Sequence, residues 1–268
     1  MSETLICVNL TNMTNPRGIL ITGASSGLGK ALALAYAASD VRLHLAARNA
    51  ERLHAVAEIC RAQGAEVTTA QVDVTDENAV RAWVAGVTGT LDLVFANAGI
   101  SAGGAEKGIE PFAQSDAVFH TNIDGVRYTV EAAIEKMRPQ GHGQIAIISS
   151  LAGFRGLPGS ASYSASKAAV RVWGEALRGS LARVGIRLSV ICPGYIVTPM
   201  TDKNAYRMPF LMPVEKATAI IQRGLRRDKA RIVFPFGLWA IVWLLSVVPP
   251  GWTDPIFNRM PEKGRLED

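Results

Sequence analysis

Short, uninterrupted apolar runs recur along the chain, separated by longer stretches in which apolar positions return every three or four residues. Residues 18–22, 41–46, 66–71, 91–95, 144–149, 186–191 and 230–234 read as strands. Residues 28–38, 51–63, 75–87, 114–137 and 162–184 read as helices. Strands that are apolar on both faces and alternate with helices predict a parallel sheet covered on both sides. Right-handed crossovers then make it a doubly wound, Rossmann-type α/β sheet of about seven strands. No repeat or low-complexity linker divides the pattern. Residues 1–13 read as a tail, residues 14–235 as one domain, and residues 236–268 as an apolar C-terminal extension.

Composition narrows the picture only a little. With 49% hydrophobic and 19% charged residues, the 268-residue chain is expected to fold around a full core and not to be disordered. A net charge of +5 raises the question of nucleic acid. No Lys/Arg block with interleaved aromatics appears, so no nucleic-acid partner is expected. Cys7, Cys60 and Cys192 are too few and too scattered for a disulfide framework, which points to a reducing compartment and a cytoplasmic location. His44, His54, His120 and His142 share no ligand spacing, so no metal is expected. The first 13 residues lack the basic region and apolar run of a secretory signal, and Met13 offers an alternative start just before the first strand.

The first chemistry comes directly after the first strand, in Thr22-Gly23-Ala24-Ser25-Ser26-Gly27-Leu28-Gly29. Gly23 lets the chain turn out of the strand. Gly27 leaves room for a pyrophosphate, and Gly29 lets the next helix close on the sheet. The start of that helix then offers free backbone N–H groups to an anion. Further on, Tyr163 and Lys167 stand four apart in a predicted helix, one turn apart on one face. A nearby ammonium favours the phenolate, so Tyr163 can act as general acid toward a carbonyl or general base toward an alcohol.

These elements, in this order, resemble the short-chain dehydrogenase/reductase family. The turn has its TGxxxGxG spacing, and Tyr163-Ser164-Ala165-Ser166-Lys167 has its YxxxK pattern. Asp73-Val74 resembles the pair that contacts adenine. Asn97-Ala98-Gly99 resembles the NNAG element, with Ala96 in place of its first Asn. Pro193-Gly194, Ile196 and Thr198 resemble the segment that meets the nicotinamide carboxamide. The resemblance runs from Arg17 to about Phe234. It implies a catalytic set of Asn122, Ser150, Tyr163 and Lys167. Ser150 would hold the substrate oxygen, Lys167 would bond the nicotinamide ribose, and Asn122 would support a water chain to solvent. It also implies hydride transfer from the pro-S face and an assembly as homodimer or homotetramer. Ser149 is the neighbouring rival to Ser150, and strand alternation should turn it the other way.

Cofactor choice rests on the end of the second strand. Ala47 stands where an acidic residue would bind the ribose 2′-hydroxyl, and Arg48 follows it with a planar fork suited to phosphate. NADP(H) is therefore expected, with a hydroxyl contact from Ser25. The loops expected to select substrate, residues 101–111, 151–162 and 199–213, carry Ile109, Phe112 nearby, Phe154, Leu157, Met200, Met208, Phe210, Leu211 and Met212. That lining predicts a small hydrophobic ketone, aldehyde or alcohol. A 3-oxoacyl thioester on an acidic carrier stays open. An NADP(H)-binding sensor on the same fold is the alternative to an enzyme.

Residues 237–248 carry no charge and are apolar all round, so a helix here must be buried on most sides. It is short for a membrane span, which needs roughly 20 apolar residues. Three placements stay open: a subunit interface, a membrane surface with Arg223, Arg226, Arg227, Lys229 and Arg231 on anionic headgroups, or the core beside the substrate cleft.

Overall fold

The computed structural model describes residues 15–101, 109–202 and 208–257. The strands β1 (Gly18–Thr22), β2 (Arg42–Ala47), β3 (Glu66–Gln71), β4 (Leu93–Ala96), β5 (Gly143–Ile148), β6 (Ile186–Pro193) and β7 (Arg231–Phe234) form one seven-stranded sheet. Its order is β3-β2-β1-β4-β5-β6-β7, and every pairing is parallel. Strand alternation splits the core into two layers. Ile19, Ile21, Leu43, Leu45 and Phe95 pack on one face. Leu20, Val94, Ile145, Ile147 and Val190 pack on the other. The doubly wound sheet read from the apolar runs is present, and its order reverses between β1 and β4. A crevice at that switch point is where such sheets take ligands.

The helices α1 (Gly27–Tyr36), α2 (Ala50–Ala62) and α3 (Glu77–Ala85) follow the first three strands. Asn49 and Asp76 cap α2 and α3 by accepting backbone N–H bonds from Arg52 and Ala79 at 2.8 and 3.0 Å.

The structure departs from the single helix expected at 114–137. It forms α4 (Phe112–Phe119), a π turn at His120–Asp124, and α5 (Gly125–Met137). Val118 and Val126 are buried on either side of the π turn. The turn carries Asn122 inward. α6 (Ala161–Ala182) is the second long helix, and a short α7 (Pro199–Asp202) follows β6. The sequence reading contained no helix before β7, yet α8 (Val214–Arg226) forms there. Ala217, Ile221 and Leu225 make its buried stripe, four residues apart.

The C-terminal part forms α9 (Phe236–Val247) and α10 (Pro250–Phe257). The expectation that the apolar helix is buried on most sides fails within a single chain, because no residue of α9 is buried. Leu238 and Trp239 rest on the core, but Phe236, Leu244 and Val247 are more than half exposed. The sequence between Arg231 and Asp254 has no charge, so this surface has no ionic cover of its own. Among the flanking basic residues, Arg231 is held bidentately by Glu175 at 2.7 Å and is not free for a headgroup. Among the described residues no helix is long and apolar enough to cross a membrane.

Candidate active site

The glycine turn is built around Thr22. Its hydroxyl donates to the Phe95 carbonyl at 3.2 Å and accepts from the Asn97 and Ala98 amides at 3.0 and 3.1 Å. Asn97 Nδ2 in turn donates to the Thr22 carbonyl at 2.8 Å. The ends of β1 and β4 are thus bolted together at the switch point. Gly23 has φ +67°, and a Cβ there would lie 2.9 Å from Ala98 Cα. A Cβ at Gly29 would fall 2.3 Å from the Gly23 carbonyl oxygen. Only glycine fits either place.

The first turn of α1 has no acidic residue, and the Ser26 side chain makes no cap. Its N–H groups are left for an anion, and Ser25, Ser26 and Leu28 stand partly exposed around them. Across the crevice, Thr198 lies 3.6 Å from where a Gly27 Cβ would be. The cradle fits a dinucleotide.

Arg48 is exposed at the end of β2, and its guanidinium stands 4.0 Å from an Asp73 carboxylate oxygen. Burial pushes the Asp73 carboxyl up. Hydrogen bonds from the Thr75 amide and hydroxyl, with the charges of Arg48 and His120, outweigh that and hold it below the usual carboxylate range. Val74 is buried, and its side chain lies where a Gly125 Cβ would be. Gly194 is packed under Leu238 and Pro235, and Ile196 is buried and bridged to Met212.

The side chains expected to react gather beyond the carboxyl ends of β4 and β5. Ser149 is buried, and its hydroxyl donates to the Lys167 carbonyl at 2.7 Å. Ser150 is partly exposed; its hydroxyl accepts the Ala152 amide at 3.1 Å and caps the 3-10 turn Leu151–Gly153. The two serines therefore face apart, as alternation required. Tyr163 and Lys167 lie one turn apart on α6, with the Lys167 ammonium 5.8 Å from the Tyr163 ring centroid. Lys167 Nζ donates to the Ile148 carbonyl at 3.0 Å. Burial pushes this amine down to about 8.

Asn122 accepts the Ile100 amide at 2.8 Å and donates to the Ile100 carbonyl at 2.9 Å. Its amide also donates to the Ser166 hydroxyl at 3.1 Å, and Ser166 donates to the Tyr163 carbonyl at 2.8 Å. Gly99 passes so close that a Cβ would lie 3.0 Å from Asn122 Oδ1 and 3.3 Å from Lys167 Nζ. Ser166 was not singled out from the sequence. Its signal was a hydroxyl three residues after Tyr163, on the buried side of the helix.

Two lining residues expected at the substrate cleft lie elsewhere. Phe154 is covered by the guanidinium groups of Arg171 and Arg231, 4.5 and 5.4 Å from its ring centroid. Leu157 lines a cavity of about 370 Å³ with Ala161, Ser164, Ala165, Ala168 and Asp254. Helical spacing puts that cavity on the other side of α6 from Tyr163 and Lys167. Ile109, Phe112, Met200, Phe210 and Leu211 are exposed, and Met212 is buried. Residues 102–108 and 203–207 of the expected substrate loops lie outside the described residues, as do the tail at 1–13 and residues 258–268. Among the described residues no cluster could hold a metal. Cys192 is buried, and burial pushes its thiol up to about 12.

Residues 17–208 match the family described as short chain dehydrogenase. The chain belongs to the short-chain dehydrogenase family. It is 36% identical over 252 residues to an uncharacterized oxidoreductase of Myxococcus xanthus, covering 93% of this chain and 98% of that one. It is 36% identical over 219 residues to levodione reductase of Leifsonia aquatica, covering 79% and 81% of the two chains. A short-chain dehydrogenase from Sphingobium yanoikuyae in complex with NADPH superposes with a TM-score of 0.77. It is 24% identical, over 94% of this chain and 99% of that one. The chain is an oxidoreductase of this family, whose members bind a nicotinamide cofactor.

Proposed function

We propose that this short-chain dehydrogenase interconverts a hydrophobic carbonyl compound and its alcohol with NADP(H), using Tyr163 as general acid and base. The observation that carries the reading is the buried Lys167 ammonium one helical turn from Tyr163, beside the glycine cradle. The bound nicotinamide supplies or takes the hydride. Tyr163 gives a proton to the carbonyl oxygen or removes one from the alcohol. Lys167 lowers the proton affinity of the phenol and holds the ribose. Ser150 orients the substrate oxygen and stabilises its developing charge. Asn122 fixes the backbone at Ile100 and supports proton return to solvent. NADPH oxidation across a panel of hydrophobic ketones and aldehydes tests the reading. Tight NADPH binding without turnover on that panel, and without alcohol oxidation by NADP⁺, would overturn it.

Arg48 supports the choice of NADP(H), since its exposed guanidinium is free to turn toward a 2′-phosphate. The Arg48→Asp variant should lose affinity for NADPH by about tenfold or more and gain preference for NADH, as expected when a charged hydrogen bond is removed and a repulsion added. An unchanged ratio of the two kcat/KM values would remove Arg48 from the assignment.

The apolar face of α9 supports contact with a second copy, in a family that is generally oligomeric. Leu244→Asp should shift the full chain to a smaller species in light scattering. Co-flotation of the wild type with anionic vesicles, with no change of mass in the variant, would place α9 on a lipid surface instead.

A further inference from the structure

Unlike α2 and α3, the catalytic helix α6 begins without a side-chain cap of its own. Ser160 stands at its N-cap, but its hydroxyl makes no capping bond. The first turn contains Ala161, Ser162 and Tyr163, so the general acid sits where a helix frays most readily. A distant residue supplies the missing acceptor: Glu110 Oε2 takes the Ser162 amide proton at 3.0 Å. The other carboxylate oxygen is buried and has no hydrogen-bond partner. No ion pair to Glu110 occurs among the described residues. Among the described residues, the Ser162 amide is what holds this carboxylate. The contact also places negative charge at the positive end of a long helix.

Glu110 ends the segment that begins at the cofactor element Asn97-Ala98-Gly99. Asn122 holds the start of that segment through both backbone groups of Ile100 and reaches α6 through Ser166. Glu110 holds its end, one residue from Tyr163. α4, which follows Glu110 directly, packs on α6.

We propose that Glu110 is a positioning residue that caps the catalytic helix from the substrate loop and fixes Tyr163 for proton transfer. This rests on the reading of Tyr163 as general acid and base. Capping needs an oxygen at the right reach, not a charge. The reach and the acceptor can therefore be separated by substitution. Glu110→Gln keeps a carbonyl oxygen at the same distance. Glu110→Asp keeps the charge but withdraws it by one methylene, and Glu110→Ala removes both.

The experiment pairs amide hydrogen exchange over residues 157–167 with kcat per NADPH-binding site, in the wild type and the three variants. The Ala and Asp variants should lose protection in the first turn of α6 and show kcat about tenfold lower, with NADPH affinity unchanged, because small misplacements of a reacting group have effects of that size or larger. The Gln variant should keep most of both. Wild-type protection in the Ala and Asp variants would overturn the cap. Lost protection with kcat unchanged would overturn the link to Tyr163. A Gln variant as impaired as the Asp variant would also overturn the cap as described. A wild type that binds NADPH but turns nothing over would sink the reductase reading, and hydrogen exchange would still decide the cap.

Discussion

Tyr163→Phe should lower kcat by about 10²–10⁴-fold, the range expected when a positioned proton-transfer group is removed. NADPH affinity should stay within about twofold, since the ring remains and only a hydroxyl leaves the reacting end. The ring also packs at 5.8 Å from the Lys167 ammonium, a contact that Phe preserves. Stopped turnover with intact binding, read from NADPH absorbance and fluorescence together, would separate a chemical role from a binding one. Retained turnover would mean that another group, or water, protonates the carbonyl. A loss of binding as large as the loss of rate would mean that Tyr163 holds the cofactor more than it serves the chemistry.

Lys167→Met should act in two opposite directions. Activity should fall by about 10²-fold or more, because the ammonium to which the proposed mechanism gives the phenol and the ribose is gone. Stability at neutral pH should rise. Burial lowers the amine from an ordinary 10.5 to about 8, so holding it charged in the fold costs about 3 kcal/mol. The depressed folded-state value fixes the sign. The cost is present in full below about pH 8 and disappears as pH rises through 10.5. Removing the amine leaves the Ile148 carbonyl without its bond, which costs about 1 kcal/mol. The variant should therefore be about 2 kcal/mol more stable at pH 7, and the difference should vanish or reverse near pH 10.5. Denaturant unfolding at the two pH values checks this. A variant less stable at pH 7 would mean that the amine is neutral or well solvated there. The same titration sets the activity profile of the wild type. Carbonyl reduction should hold below about pH 8 and fall above it, as the Tyr163–Lys167 pair loses its shared charge.

Much of this molecule is written locally. The strands were placed to within a few residues, and for the inner ones the reason is that a strand buried on both faces leaves a continuous apolar signature; β3, EVTTAQ at the sheet edge, is mostly exposed and carries none. The glycine turn leading into α1 and the pairing of Tyr163 with Lys167 were legible for the same reason: each depends on spacing within one short segment. Alternation along one strand predicted that Ser149 and Ser150 face apart, and Ser149 does turn inward to the Lys167 carbonyl while Ser150 does not. The π turn at His120–Asp124 was less legible, since a single turn of this kind inside a helix hardly disturbs a helical pattern.

Contacts between distant segments had no local signature. Nothing near Glu110 announces that its carboxylate reaches Ser162, 52 positions away. Nothing near Phe154 announces two guanidinium groups from α6 and β7 on its ring. The apolar run at α9 was read correctly as a helix, but a single chain does not bury it. Hydrophobicity says that a surface must find a partner, while only the packed chain says how much of it this chain can cover. By itself, then, the sequence determined the parallel sheet, the glycine turn and the Tyr–Lys pair, because each is set by the periodicity or spacing of one backbone segment. The tertiary structure alone decided which side chains close the network around Tyr163, how deeply Lys167 is buried, and that α9 keeps an open apolar face. Those depend on distances between segments, which no local period encodes.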